Sequence, residues 1–194
     1  MTTDSLKDIE EKLLDKQVVS ILGDIDQEMA NSIIKQLYYY LIPDDPSCTC
    51  RPKNGRISFI INSPGGDVYA MLAIYDLMQS LQKQGYVVET IAVGYAMSAA
   101  AVLLAAGSPK ARYAYANTRI MIHQVSAEAR YASIQDLNLD VEETNLLNDN
   151  IFAILKRHTK LSLKVLQKEM NRDCFMDANN AIKFNLIDSI VGSK

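Results

Sequence analysis

Ser98 opens an alanine-rich run, Ser98-Ala99-Ala100-Ala101, directly after the strand-like Gly94-Tyr95-Ala96-Met97. A serine at a helix start holds its hydroxyl beside backbone N–H groups that lack an intrahelical partner. Earlier in the chain, Ile61-Asn62-Ser63-Pro64-Gly65-Gly66-Asp67 breaks a strand with a double glycine. Glycine adopts backbone angles other residues avoid, so such a pair can turn its N–H groups toward the same point. A nucleophile beside oxyanion donors is the heart of an acyl-transfer site, and the two segments together read as a serine hydrolase. Taken singly, each has an ordinary reading: the serine as a helix N-cap, Pro-Gly-Gly as a turn.

A serine nucleophile needs a base and an acid to orient that base. The chain has only two histidines. His123 ends the apolar run Arg119-Ile120-Met121-Ile122, which presents it at a strand terminus. His158 lies in Leu155-Lys156-Arg157-His158-Thr159, at the basic end of a predicted helix, where a histidine commonly complements the helix dipole. His123 is therefore the expected base. The acid is left open by chemistry alone, with Asp136, Asp140, Asp149, Asp173, Asp177 and Asp188 all following His123.

These residues, with several further segments, give the chain a close resemblance to the proteolytic subunit of the Clp protease, a self-compartmentalising serine peptidase of bacteria and plastids. The segments are Ile61-Asn62-Ser63-Pro64-Gly65-Gly66, Ala73-Ile74-Tyr75-Asp76-Leu77-Met78-Gln79, Leu103-Leu104-Ala105-Ala106-Gly107, Ile120-Met121-Ile122-His123-Gln124 and Arg172-Asp173-Cys174-Phe175-Met176. Ala181 to Asp188 fits the family's closing pattern, and the resemblance runs from about Leu14 to Val191. It implies an α/β fold shared with crotonases, a spiral of strand-strand-helix repeats with a protruding long helix. Position by position, it implies Ser98 as nucleophile, His123 as base and Asp173 as acid. The oxyanion donors fall on the backbone N–H groups of Gly66 and Ala99. Substrate would lie along Gly65, Val125, Ser126 and Ala127, pairing as an added strand edge.

The resemblance also implies partners. Family members form heptameric rings stacked in pairs, joined by the long helix, and are fed unfolded polypeptide by an ATP-dependent unfoldase. No cofactor or metal is implied, and the chain has no P-loop pattern, so ATP use falls to the partner. Asn171 and Arg172 take the place of a ring-to-ring contact in which the family has aspartate before Arg-Asp. Other departures are Ala99, where the family has a methionine lining the substrate pocket, and the glycine-free Val125-Ser126-Ala127-Glu128-Ala129-Arg130-Tyr131. Ile60 replaces an aromatic residue associated with unfoldase docking, and the polar start Met1 to Lys7 is shorter than the family's axial loop. Other readings are a weakly active or non-catalytic ring subunit regulating an active paralogue in a hetero-oligomer, and a crotonase-like acyl-CoA enzyme. The latter leaves a full Ser, His and Asp set unexplained. A signal-peptide peptidase needs a Ser–Lys pair, and no lysine accompanies Ser98 in the matched motifs.

Composition agrees with one enzyme-sized domain over 1–194. With 194 residues and 48% hydrophobic content the chain can bury a substantial core. A net charge of −3 gives no reason to expect nucleic acid or an anionic membrane. Acidic Asp4, Asp8, Glu10 and Glu11 argue against a signal peptide, and Cys48, Cys50 and Cys174 suit a reducing compartment. Cytoplasmic residence, or a plastid, is the expectation. The apolar stretch Ile91 to Gly107 reads as a buried strand and helix rather than a membrane span, and Pro43 to Arg56 as an inserted surface loop.

The elements that must position the site are strands alternating with helices, the mark of α/β crossovers. Helices are expected at Leu6–Lys16, Gln27–Leu41, Val68–Lys83, Ser98–Ala106, Ser133–His158, Leu163–Met170 and Ala178–Phe184. Strands are expected at Val18–Leu22, Arg56–Asn62, Val87–Val93, Ala111–Tyr115 and Ile120–His123. In the long helix Leu137, Val141, Leu147, Ile151, Ile154 and Leu155 recur near helical spacing. Acids crowd its start and Lys156, Arg157 and His158 its end, as the dipole favours.

Overall fold

The computed structural model describes residue 9 and residues 12–41, 55–126, 131 and 133–193. Residues 12–15 are helical, inside the first expected helix. Then follow β1 (Val18–Leu22), α1 (Gln27–Leu41), β2 (Arg56–Ser63), α2 (Val68–Lys83) and β3 (Val87–Met97). The rest of the chain forms α3 (Ala99–Ala105), β4 (Arg112–Ala114), β5 (Arg119–Ile122), α4 (Ile134–Thr159), α5 (Leu163–Glu169), β6 (Cys174–Met176), α6 (Ala178–Lys183) and β7 (Ser189–Ile190). Most of the expected inserted loop lies outside the described residues, with Cys48 and Cys50.

The strands build one sheet in the order β1-β2-β3-β4-β7, all parallel, as helical crossovers between neighbouring strands require. Two more strands branch from it: β5 runs parallel to the end of β3, and β6 is antiparallel to β5. This mixed α/β architecture is the one the sequence implies. The fork depends on β3, which runs four residues past the expected end at Val93. Its first half pairs with β4 through Thr90, Ile91 and Ala92, and its second half with β5 through Tyr95, Ala96 and Met97. The strand-like Gly94-Tyr95-Ala96-Met97 is thus continuous with Val87–Val93, and Gly94, with positive φ (75°), bends the strand instead of ending it. The register with β2 shifts at the same place, from Ile61 opposite Ala92 to Ser63 opposite Ala96, so the extra residues lie in β3 and the two strands stay paired on both sides of the bend.

The core lies between the sheet and the helices. Ile57, Phe59 and Ile61 of β2 alternate inward and are fully buried, as are Met71, Ile74, Met78 and Leu81 of α2. Every residue of α3 is buried. That explains its alanines, since a short helix with small side chains lets backbones approach closely. The long helix begins with Ser133, whose hydroxyl accepts from the Asp136 N–H. Only its second half is packed: Leu147, Ile151, Phe152, Ile154 and Leu155 are buried. Leu137 and Val141, counted in one apolar stripe by sequence, are exposed together with Ile134, Leu139 and Leu146. The first half therefore protrudes.

His158 has a different role from the one its position suggests. Burial, then the charges of Arg112 and Arg157, push its pKa down to about 4, so at neutral pH it is not a cation complementing the dipole. Its Nε2 instead lies 3.1 Å from the Tyr75 hydroxyl, which also accepts from Arg157 Nη1. Beside it, Arg112 donates to both carboxylate oxygens of Asp188. Burial raises the Asp188 pKa, but the Arg112 hydrogen bonds and charge outweigh it and the net shift is downward.

Both groups make acid destabilising. Below pH 6.5 the unfolded chain protonates His158 while the folded chain resists until about 4, so stability falls across that window. Asp188 adds its loss below its ordinary value of 3.8. Thermal melting should move down between pH 7 and pH 5, and His158→Gln should flatten that dependence. An equally steep loss in the variant would exclude His158 as its source.

Candidate active site

Ser98 sits between the end of β3 and the start of α3, with φ 54° and ψ −123°. Positive φ is strained for a residue with a side chain, costing on the order of 1–3 kcal/mol, and persists where surroundings enforce it. Here the Ser98 N–H donates to the Met121 carbonyl of β5 at 2.8 Å. The β3–β5 branch thus holds the turn. The hydroxyl makes no N-cap hydrogen bond, so the ordinary structural use of a serine at this position is not realised. Its Oγ lies 2.7 Å from His123 Nε2.

His123 follows β5 directly and is partly buried, 23% exposed in its side chain. Its Nδ1 faces Asp173 Oδ1 at 3.5 Å, beyond a good hydrogen bond but within ion-pair range, and the Asp173 side chain is 58% exposed. None of the other candidate acids plays this part in the described structure. Asp136 bonds Ser133, Asp177 caps α6, and Asp188 is held by Arg112. His158 bonds Tyr75 and is not paired with the serine. Ser98, His123 and Asp173 therefore stand in line, tight at the first contact and loose at the second.

The double glycine packs against the serine turn. A side chain on Gly65 would place its Cβ 2.7 Å from the Ser98 Cβ, and one on Gly66 would lie 2.2 Å from the Ile25 carbonyl oxygen. Both have positive φ, 101° and 147°. Gly66 forms an isolated parallel bridge with Ile25: the Ile25 N–H donates to Gly65 at 2.8 Å, and the Asp67 N–H to Ile25 at 2.7 Å. Because an extended chain alternates, those two bonds leave the Gly66 N–H on the opposite side. Gly66, Ser98 and Ala99 line one cavity with His123. Ala99 is the first residue of α3, whose N–H has no intrahelical partner.

That cavity holds about 60 Å³, and its deeper wall is apolar: Val68, Met71, Val102, Ile151, Leu155 and Met170. Val125 and Ser126 line it as well, and also border a larger open groove of about 550 Å³ beside Asn171, Arg172 and Asp173. Ala127 lies outside the described residues. Asn171 and Arg172 are exposed at the groove. Two residues that the sequence reading did not single out hold the segment after His123. Met170 accepts from the Gln124 N–H through its carbonyl, and Asn148 accepts from the Val125 N–H through Oδ1, each at 3.0 Å. The only signal in sequence was a polar asparagine on the half of α4 that also carries the buried Leu147 and Ile151.

A serine on a strained strand-to-helix turn, bonded to a histidine and flanked by a glycine turn, is the arrangement of serine hydrolases. A family model described as Clp protease matches residues 2–194, which extends the likeness seen from Leu14 to nearly the full chain. The chain belongs to the Clp protease family. It is 40% identical over 184 residues to the ATP-dependent Clp protease proteolytic subunit of Deinococcus radiodurans, covering 95% of this chain and 84% of that protein.

Proposed function

We propose that this chain is a Clp-type serine endopeptidase, cleaving unfolded polypeptide within a ring-shaped chamber. The observation that carries the reading is the 2.7 Å contact between Ser98 Oγ and His123 Nε2, made by a hydroxyl with no capping role. His123 takes the Ser98 proton as Oγ attacks a peptide carbonyl, and Asp173 stabilises the imidazolium through Nδ1. The tetrahedral oxyanion accepts from the N–H groups of Gly66 and Ala99. His123 then returns the proton to the leaving amine, and water, activated in the same way, releases the acyl group from Ser98. The chemistry needs no cofactor or metal.

The apolar cavity beside Ser98 supports a preference for apolar side chains on the acyl side of the cleaved bond, because an unpaired charge is costly to bury there. Fluorogenic peptides with leucine or methionine at that position should turn over roughly 10-fold faster or more than peptides with aspartate or lysine. Equal rates would assign the cavity another role. Ring assembly is supported by family membership and by the exposed apolar side chains of the protruding half of α4, which suit packing against a second ring. ATP would be consumed by a separate unfoldase, and cytoplasmic residence fits the bacterial relative. Among the described residues no helix is long and apolar enough to cross a membrane.

A second reading is a weakly active ring subunit working with an active paralogue. The 3.5 Å gap between His123 and Asp173 favours it. Hydrolysis assays across gel-filtration fractions of the purified chain separate the two: turnover in the large fraction supports the peptidase, and turnover only after adding a paralogue supports the regulatory subunit.

A further inference from the structure

We infer that Asn148 is a positioning residue, whose side chain aligns His123 with Ser98 by anchoring the chain just beyond the imidazole to the long helix. The inference rests on the proposed peptidase chemistry and adds a residue to it. His123 is the first residue after β5, so strand pairing fixes only the chain that precedes it. On the other side, two hydrogen bonds hold the described segment: Gln124 N–H to the Met170 carbonyl, and Val125 N–H to Asn148 Oδ1. The first is a main-chain contact that most substitutions would leave in place. The second depends on one side chain.

Asn148 lies well inside α4, fourteen positions beyond Ile134, where asparagine is a poorer helix former than alanine or leucine. It sits between Leu147, buried in the packed half, and Asp149, on the exposed face. The carboxamide is therefore at the edge of the core, where it can reach the neighbouring segment. Val125 is itself half-buried against the core and lines the cavity with Ser98. Losing the acceptor leaves a partly buried N–H without a partner, and the segment relieves that by moving toward water. His123 lies two residues away and would move with it. Its 2.7 Å bond to Ser98 is the contact most sensitive to such a shift, and a misplacement near 1 Å can cost on the order of 100-fold in rate.

Two variants separate positioning from general stability. Asn148→Leu keeps the shape and removes the acceptor, whereas Asn148→Asp keeps an acceptor at the same reach. With a fluorogenic peptide, Asn148→Leu should lower kcat by about 10- to 100-fold while KM stays within about twofold. Asn148→Asp should recover most of the loss. Because the chain has only two histidines, selective 13C-histidine labelling follows His123 without relying on turnover, with His158→Gln to assign the signals. The His123 resonance should shift in Asn148→Leu and return in Asn148→Asp, while His158 stays fixed. An unchanged His123 resonance in Asn148→Leu, or a kcat within twofold of the parent, would overturn the inference. If the parent itself shows no Ser98-dependent hydrolysis, the peptidase reading fails instead, and the histidine spectra still decide whether Asn148 positions His123.

Discussion

Ser98→Ala lowers kcat for peptide hydrolysis by roughly 10⁴- to 10⁶-fold, the loss expected when the nucleophile of a serine hydrolase is removed. The protein should otherwise be unchanged. The Ser98 hydroxyl caps no helix, so its removal takes nothing from α3. The backbone bond from Ser98 N–H to Met121 survives, and alanine carries the same positive-φ strain as serine. Its partner, the His123 imidazole, is partly exposed and can turn to water. Melting temperature and oligomer size should therefore match the parent. Residual turnover near the parental rate would mean that another group performs the chemistry. Loss of fold would mean that Ser98 serves structure after all.

Gly66→Ala costs both stability and activity, for a reason confined to backbone geometry. A Cβ at Gly66 falls 2.2 Å from the Ile25 carbonyl oxygen and 2.8 Å from its nitrogen, and backbone cannot swing aside as a flexible side chain can. The bridge must open, which removes the Ile25-to-Gly65 and Asp67-to-Ile25 hydrogen bonds. We expect a loss of about 2–4 kcal/mol in urea unfolding. The Gly66 N–H moves with the bridge, so the surviving folded protein should lose a further factor of roughly 10² to 10³ in kcat, as for a lost oxyanion donor. Gly85→Ala is the control. Gly85 also has positive φ, 90°, but an added Cβ there meets nothing within 4 Å. Only backbone strain remains, about 1 kcal/mol, with no effect on rate. Equal behaviour of the two variants would remove the Gly66 turn from the proposed oxyanion site.

The parts of this site that sequence made legible are those fixed by local chain direction. Ser98 and His123 stand at the ends of apolar runs, and a side chain at a strand terminus is displayed at the sheet's edge wherever the other strands fall. Asp173 was different. Six aspartates followed His123, and nothing local favoured one; family resemblance singled it out, and the structure places its carboxylate opposite His123 Nδ1 at a looser 3.5 Å. The second half of β3 was visible as the strand-like Gly94-Tyr95-Ala96-Met97, but its continuity with Val87–Val93 was not, because Gly94 with positive φ bends the chain where Met97 comes beside β5. β6 and β7 span three and two residues, too few for alternation to show. They exist because long-range partners, β5 and β4, supply their ladder bonds. Asn148 was invisible for a related reason: its partner lies on another segment, and a lone polar residue on a helix looks like solvent-facing surface. In α4 the spacing put Leu137 and Val141 in one stripe with Leu147 and Ile151, because periodicity reports a face without saying which part of it the domain's own core covers.

The central claim is that Ser98 is a nucleophile activated by His123. Labelling with a fluorophosphonate probe tests it most directly, since Oγ must attack phosphorus and expel fluoride while the histidine takes the proton. The purified protein should label in its large gel-filtration fraction, with the adduct mapped by mass spectrometry to Ser98, and both Ser98→Ala and His123→Ala should stay dark. Labelling elsewhere, or a Ser98 that stays unmodified in the assembled protein, would contradict it.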